Sequence, residues 1–288
     1  MSGKIRDALQ STVVPGADTQ ELGNGLTSYR WLSYRTLWLT TSEGVVVFDP
    51  LNRAASADIA AHLKEGGQPL RYVIYSHGHR DHVSGADALG GHPIVLAHRR
   101  TAEDIRVRGY SDVVAPTETF DEDEHVLEIG GEEIRLIRLA GAHTDALVAS
   151  YFPRRRLLYA VDLVWPGQLP PPGAPLSYSG VERALDRLLQ LDFDTFVPGH
   201  GAIVKRQEVI RYRTFLSDLR KEFVAALQRR GLNDLHSAST FLAAPEQLGS
   251  VFFEVIDALK PTYGDWENYD AAILPTVQWC FWSVLTGD

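Results

Sequence analysis

One short run constrains this chain more than any other feature: His77, His79, Asp81 and His82 crowd into Ser76-His77-Gly78-His79-Arg80-Asp81-His82. Such crowding is costly unless something binds it. Neutral imidazole is the commonest protein ligand for zinc, and carboxylate joins it in harder or shared sites. Tyr72 to Tyr75, just before the run, is apolar, β-branched and aromatic, and reads as a buried strand that stops where the polar residues begin. The cluster therefore sits at a strand's C-terminal end, where open α/β sheets carry their sites. Beyond it, Ser84 is expected to cap a short helix over Gly85 to Leu89, broken by Gly90-Gly91. The competing reading is an idle, solvated histidine turn, and the strand-loop-helix frame weighs against it.

Four groups so close together cannot all complete one tetrahedral shell, so further ligands are expected at other strand ends. His143 stands just beyond a strand in Leu139-Ala140-Gly141-Ala142-His143-Thr144-Asp145. Asp162 terminates the apolar stretch Leu157 to Val161. His200 follows Thr195 to Pro198 and lies between Gly199 and Gly201, where backbone and metal can approach closely. Any one of these alone reads as a turn residue or a cap. Their joint arrangement is what carries weight.

With 288 residues, 44% hydrophobic and 23% charged, the chain is an ordinary globular composition able to bury a large core. Thr27 to Leu32, Tyr34 to Thr40 and Gly44 to Phe48 read as strands, and Ala54 to Lys64 as a helix ending at Gly66-Gly67. A strand at Pro93 to Ala97 and a helix from Thr101 to Arg108 follow. Next come strands at Glu124 to Ile129 and Glu133 to Leu139, and a hairpin of Leu147 to Phe152 with Arg156 to Val161. The last third reads as helices: Val181 to Leu191, Val204 to Arg230, Pro245 to Leu259 and Tyr269 to Leu285. Strands first and helices last indicate an α/β sandwich, with a core over residues 1–203 and a helical extension over 204–288 packed on it. The hairpins argue against a doubly wound parallel sheet.

A net charge of −9 opposes binding to phosphate backbones. The eight Lys and Arg between Val204 and Gly231 read as the solvated face of an amphipathic helix. Cys280 is the only cysteine, which rules out an intrachain disulfide, and its Trp-flanked apolar setting indicates a packing role. The start Met-Ser-Gly-Lys-Ile-Arg-Asp has no apolar signal core, and no stretch reaches membrane-spanning length, so a cytoplasmic address is expected.

Taken together, Asp49, His77-x-His79-x-Asp81-His82, His143, Asp162 and His200 resemble the metallo-β-lactamase-fold superfamily of metallohydrolases over roughly Leu26 to Lys205. The resemblance implies a four-layer αβ/βα sandwich with two metals at the sheet edges. His77, His79 and His143 would hold one ion, Asp81, His82 and His200 the other, and Asp162 would bridge them. Asp49 would accept hydrogen bonds that orient ligands and would not bind metal itself. Some positions depart from the family's pattern. Ala142-His143-Thr144-Asp145-Ala146 stands where Gly-His-Thr-x-Gly is common, and Asp162 and His79 set the chain apart from the β-lactamases proper and from the flavodiiron branch.

The expected cofactors are two divalent ions, zinc by preference, with iron or manganese compatible with the same donors. Two such ions share a water and lower its pKa from ~15.7 towards neutrality, and the resulting hydroxide would cleave an ester, lactone or thioester with an apolar portion. Asp81 would orient that hydroxide and relay its proton. Trp165 and Tyr178, flanking a proline-rich loop, read equally as an apolar wall of the pocket or as residues that pack the loop onto the sheet. A small molecule is the expected partner, with neither nucleic acid nor membrane; nothing in the sequence sets an oligomeric state. The alternatives are an iron-dependent oxygenase on the same fold, as in the sulfur dioxygenase branch, and a non-enzymatic metal-binding protein.

Overall fold

Strict alternation in β4 (Gly44–Phe48) shows how the layers form, since all of its residues are buried but on opposite faces. Val46 and Phe48 join one hydrophobic cluster, whereas Val45 and Val47 join another. A computed structural model of the chain describes residues 16–171, 177–232 and 245–287. In it β4 lies inside a seven-stranded mixed sheet ordered β1 to β7: β1 (Ala17–Gly23), β2 (Leu26–Trp31), β3 (Tyr34–Thr41), β4, β5 (Leu70–Ile74), β6 (Ile94–His98) and β7 (Glu118–Phe120). Its outer face packs on Ala55 and Ile59 of α1 (Arg53–Gly66) and Ile105 of α3 (Arg99–Arg108).

The inner face meets a six-stranded sheet ordered β13-β12-β11-β10-β9-β8. Its strands are β8 (Glu124–Ile129), β9 (Glu132–Leu139), β10 (Leu147–Phe152), β11 (Leu157–Ala160), β12 (Thr195–Pro198) and β13 (Val204–Lys205). Phe48 crosses the gap to Phe152 and Tyr159, with ring centroids 5.6 and 6.0 Å apart. Helices α4 (Tyr178–Leu188), α5 (Arg206–Arg229), α6 (Pro245–Tyr263) and α7 (Tyr269–Thr286) share the same cluster through Leu185, Phe215, Val251 and Val277. The αβ/βα sandwich and its C-terminal helices are thus in place.

Three strands escape a sequence reading: β7, which is only three residues long, and β1 and β13. β1 is an edge strand exposed along nearly its whole length, so it carries no apolar alternation to detect. β13 was included in the expected helix from Val204, but Phe196 and Thr195 of β12 recruit Val204 and Lys205 into the sheet and the helix starts at Arg206.

Ser84 caps nothing. Its hydroxyl donates to Leu51 O, and the short 3₁₀ turn Ala86–Leu89 starts from Gly85 instead. The basic residues of α5 are also not simply solvated. Arg211 pairs with Asp265, Arg213 with Glu182 and Asp186, Arg220 with Glu182, and Arg229 and Arg230 with Glu254. Most of that face is therefore neutralised by neighbouring helices, which removes the one local argument for binding a polyanion. Cys280 is buried and free, and burial pushes its thiol up to about 12, as a packing role requires.

Candidate metal centre

Every expected ligand lies at the C-terminal end of a strand or in the turn after it. The run after β5 winds into a single helical turn, α2 (Arg80–Val83), which turns His82 inward and leaves Asp81 exposed. Asp49 follows β4, and its carboxylate is fully buried. It accepts from Ser76 N at 2.8 Å and from the Tyr159 hydroxyl at 3.1 Å. Asp49 is thus tied to the backbone that leads into His77 and makes no hydrogen bond to an imidazole among the described residues. Burial raises its pKa to about 6.

Six of the seven expected ligands converge as two groups that share Asp162: His77, His79, His143 and Asp162, then His82, Asp162 and His200. Asp162 Oδ2 lies 3.5 Å from His77 Nε2 and 3.2 Å from both His82 Nε2 and His143 Nε2. Its Oδ1 lies 3.0 Å from His200 Nε2. Asp81 stands outside both groups, at the rim, with Oδ2 3.8 Å from His82 Nε2.

Asp162 adopts a left-handed backbone, φ 52°, and Asp49 and Leu51 also have positive φ. Non-glycine residues hold such conformations only where the surroundings over-determine them, and these three cluster around the site. Gly199 has a different reason. A Cβ there would come within 2.7 Å of Val161 Cβ, so only glycine lets the end of β12 lie close enough to bring His200 beside Asp162.

Burial outweighs every other influence on His77, holding its pKa well below the ordinary value, and it lowers His79 as well. Both imidazoles are therefore neutral at pH 7. Burial opposes the charge on His82 too, but Asp162 overcomes this and raises it to about 9. Burial likewise works against the Asp162 carboxylate, and the surrounding imidazoles still hold it well below the usual range.

The donor set fits a metal. His79 Nδ1 and His143 Nε2 face each other at 2.9 Å, an approach that two lone pairs tolerate only with a proton or cation between them. His77 Nε2, both ring nitrogens of His82 and Asp162 Oδ1 are buried without a properly angled hydrogen bond. Unsatisfied buried polar atoms are costly, and their concentration here points to a bound cation.

An apolar wall is only partly available. Tyr178 is completely buried at the start of α4, its hydroxyl donates to Leu216 O at 2.5 Å, and its ring lies against Trp279. It has no surface to offer a substrate and serves the core. Trp165 is 7% exposed and belongs to the main hydrophobic cluster. Residues 172–176 of that loop lie outside the described residues. The loop's first half is tied to the α6–α7 connection: Leu169 N donates to Asn268 Oδ1 at 2.7 Å and Asn268 Nδ2 donates back to Leu169 O at 2.9 Å.

Two residues that the sequence reading passed over are Tyr34 and Arg35. The Tyr34 ring lies tilted against His200, with centroids 4.7 Å apart. Arg35 donates from its backbone N to Gly199 O and from Nε to Gly201 O. Both lie on a strand with no unusual pattern, so only their neighbours reveal them.

Comparison with known families matches residues 30–200 to the metallo-beta-lactamase superfamily, and the chain belongs to that superfamily. It is 32% identical over 181 residues to 2,4-dinitroanisole O-demethylase subunit alpha of Nocardioides sp. (strain JS1661), covering 61% of this chain and 55% of that protein. It is 28% identical over 131 residues to hydroxyacylglutathione hydrolase of Acidiphilium cryptum (strain JF-5), covering 45% and 49%. The chain thus spans about half the length of these curated relatives. In fold it is similar to a metallo-beta-lactamase from Pontibacter korlensis, with TM-score 0.62, 20% identity and coverage of 70% of this chain and 99% of that one. It is also similar to the sec-alkylsulfatase Pisa1 from Pseudomonas sp., with TM-score 0.61, 16% identity and coverage of 75% and 44%. No helix among the described residues is long and apolar enough to cross a membrane.

Proposed function

We propose that the protein is a metal-dependent hydrolase that uses two divalent ions, zinc in the first instance, to cleave an ester, lactone or thioester carrying an apolar portion. The observation that carries this reading is the position of Asp162 between the two groups of imidazoles, with Oδ2 within 3.5 Å of His77 and 3.2 Å of both His82 and His143, and Oδ1 3.0 Å from His200. His77, His79 and His143 would hold one ion, His82 and His200 the other, and Asp162 would be common to both. When bound, the ions would supply a water of lowered pKa and polarise the group under attack.

The protein's own residues do the rest. Burial keeps His77 and His79 neutral, so no proton has to be displaced before they coordinate. Asp49, through Ser76 N, fixes the strand end from which His77 projects. Asp81, exposed beside His82, takes the proton of the attacking water at a carboxylate oxygen and passes it to solvent. No nucleophilic Ser or Cys is needed. The relatives named hydroxyacylglutathione hydrolase support a hydrolytic reaction.

A second reading keeps the fold and has the same residues hold iron for an oxygenase, and the relative named 2,4-dinitroanisole O-demethylase subunit alpha adds aryl methyl ethers to the substrates to be tried. Elemental analysis of metal-replete protein, followed by a turnover screen over esters, lactones, thioesters, β-lactams and nitroaryl methyl ethers with and without dioxygen, separates the two. The hydrolase reading expects two ions per chain and dioxygen-independent turnover of an ester, lactone or thioester. Turnover that stops under anaerobic conditions overturns it. A non-enzymatic role is disfavoured by the complete donor set.

A further inference from the structure

His200 stands between two glycines, Gly199 and Gly201, so the turn that carries it has little stiffness of its own. Gly201 adopts a left-handed backbone, φ 91°, and Gly199 leaves no room for a Cβ against Val161. Neither position accepts a stiffer residue without strain, so the turn has to be restrained from outside. That restraint comes from the opposite sheet. Tyr34, the first residue of β3, forms an isolated antiparallel bridge with His200, and Arg35 follows it. Arg35 bonds the carbonyls on both sides of the histidine, donating from its backbone N to Gly199 O at 2.7 Å and from Nε to Gly201 O at 3.1 Å. Its Nη1 donates to Ser28 Oγ on β2 at 2.8 Å, which braces the guanidinium from behind. Arg35 is only 8% exposed, and its guanidinium takes part in no ion pair among the described residues. Burying a charge without a paired partner is costly, and what this one bonds in return is the His200 turn.

We propose that Arg35 is the positioning residue of His200: its guanidinium, braced by Ser28, fixes the Gly201 carbonyl and with it the direction from which His200 Nε2 meets Asp162 Oδ1. This inference rests on the two-ion reading. His200 belongs only to the group it forms with His82 and Asp162. The Arg35 side chain makes no hydrogen bond to the turns that carry His77, His79 and His143, so its effect falls on one ion more than on the other. Residues that orient ligands in this way typically account for ~10- to 100-fold in metal affinity.

The test is a titration of cobalt(II) into the full-length, chelator-treated protein, following heat and the visible spectrum of each bound ion. His200→Ala marks which binding step belongs to the group of His82, Asp162 and His200. Arg35→Lys keeps the charge without the planar fork that reaches two acceptors, Arg35→Met removes the side-chain donors, and Ser28→Ala removes only the brace. The inference expects both Arg35 variants to weaken the marked step about 10-fold or more, to alter the spectrum of that ion, and to leave the other step within about twofold. Ser28→Ala is expected to weaken the same step by a smaller factor. Unchanged binding of both ions by the Arg35 variants, when wild type takes two, overturns the role of Arg35 and leaves the two-ion reading standing. Equal weakening of both steps assigns Arg35 to general packing and also overturns it. If neither Arg35 variant folds, Ser28→Ala decides alone, and an unchanged marked step overturns the inference. Uptake of a single ion by wild type refutes the two-ion reading, and this inference falls with it.

Discussion

Raising the pH of the metal-free protein from 6.5 to 9 is expected to destabilise it by about 3 kcal/mol, because of one buried pair. His82 is fully buried, and burial alone would favour its neutral form, but Asp162 beside it raises its pKa from 6.5 to about 9. A histidine whose folded pKa is raised stabilises the fold fully below its unfolded pKa and loses that contribution as the pH rises through the folded value. At roughly 1.4 kcal/mol per pH unit, the interval from 6.5 to about 9 amounts to about 3 kcal/mol. Other perturbed site groups leave this window clear. His77 and His79, being lowered, act mainly below 6.5, and Asp49, raised to about 6, is mostly ionised by then, so each shifts stability by only about a few tenths of a kcal/mol above 6.5. Cys280 begins to matter only above its ordinary value of 9.0. Urea unfolding of chelator-treated protein, followed by tryptophan fluorescence, measures the slope. The metal-loaded protein should be nearly flat over the same range, because a coordinating imidazole carries no proton at that nitrogen. His82→Gln should also flatten the metal-free curve, at a lower overall stability. A metal-free wild type whose unfolding free energy is constant from pH 6.5 to 9, or a His82→Gln variant that keeps the slope, refutes the reasoning.

Three further outcomes are expected. Asp162→Ala should abolish most activity and prevent the two ions from binding together, with far-ultraviolet circular dichroism unchanged; near wild-type turnover with both ions bound would rule out a shared carboxylate. Asp49→Asn should lose ~10- to 100-fold in metal affinity or turnover while still binding two ions, since an amide oxygen can still accept from Ser76 N. Gly199→Ala should cost about 1–3 kcal/mol of stability and weaken the second ion more than the first, because its new methyl must displace Val161 or the His200 turn; an equal loss at both ions would show that the turn moves as a unit with Asp162.

The candidate ligand residues, their order and their places at strand ends were legible in the sequence, because each depends on local pattern. An apolar stretch such as Leu157 to Val161 announces a buried strand, and the polar residue that follows must leave the sheet. The helices of the last third were legible for the same reason, apart from ends that shift by a few residues where tertiary pairing recruits them, as at β13. What the chain builds from these pieces was decided by contacts between distant residues. His79 meets His143 across 64 positions, and Arg35 reaches Gly201 across 166. No local periodicity encodes such meetings. The division into two groups, the rim position of Asp81, the burial of Tyr178 away from the site and the approach of Tyr34 to His200 all follow from how two sheets close on one another, since a side chain's chemistry is set by what packing places within a few ångströms of it.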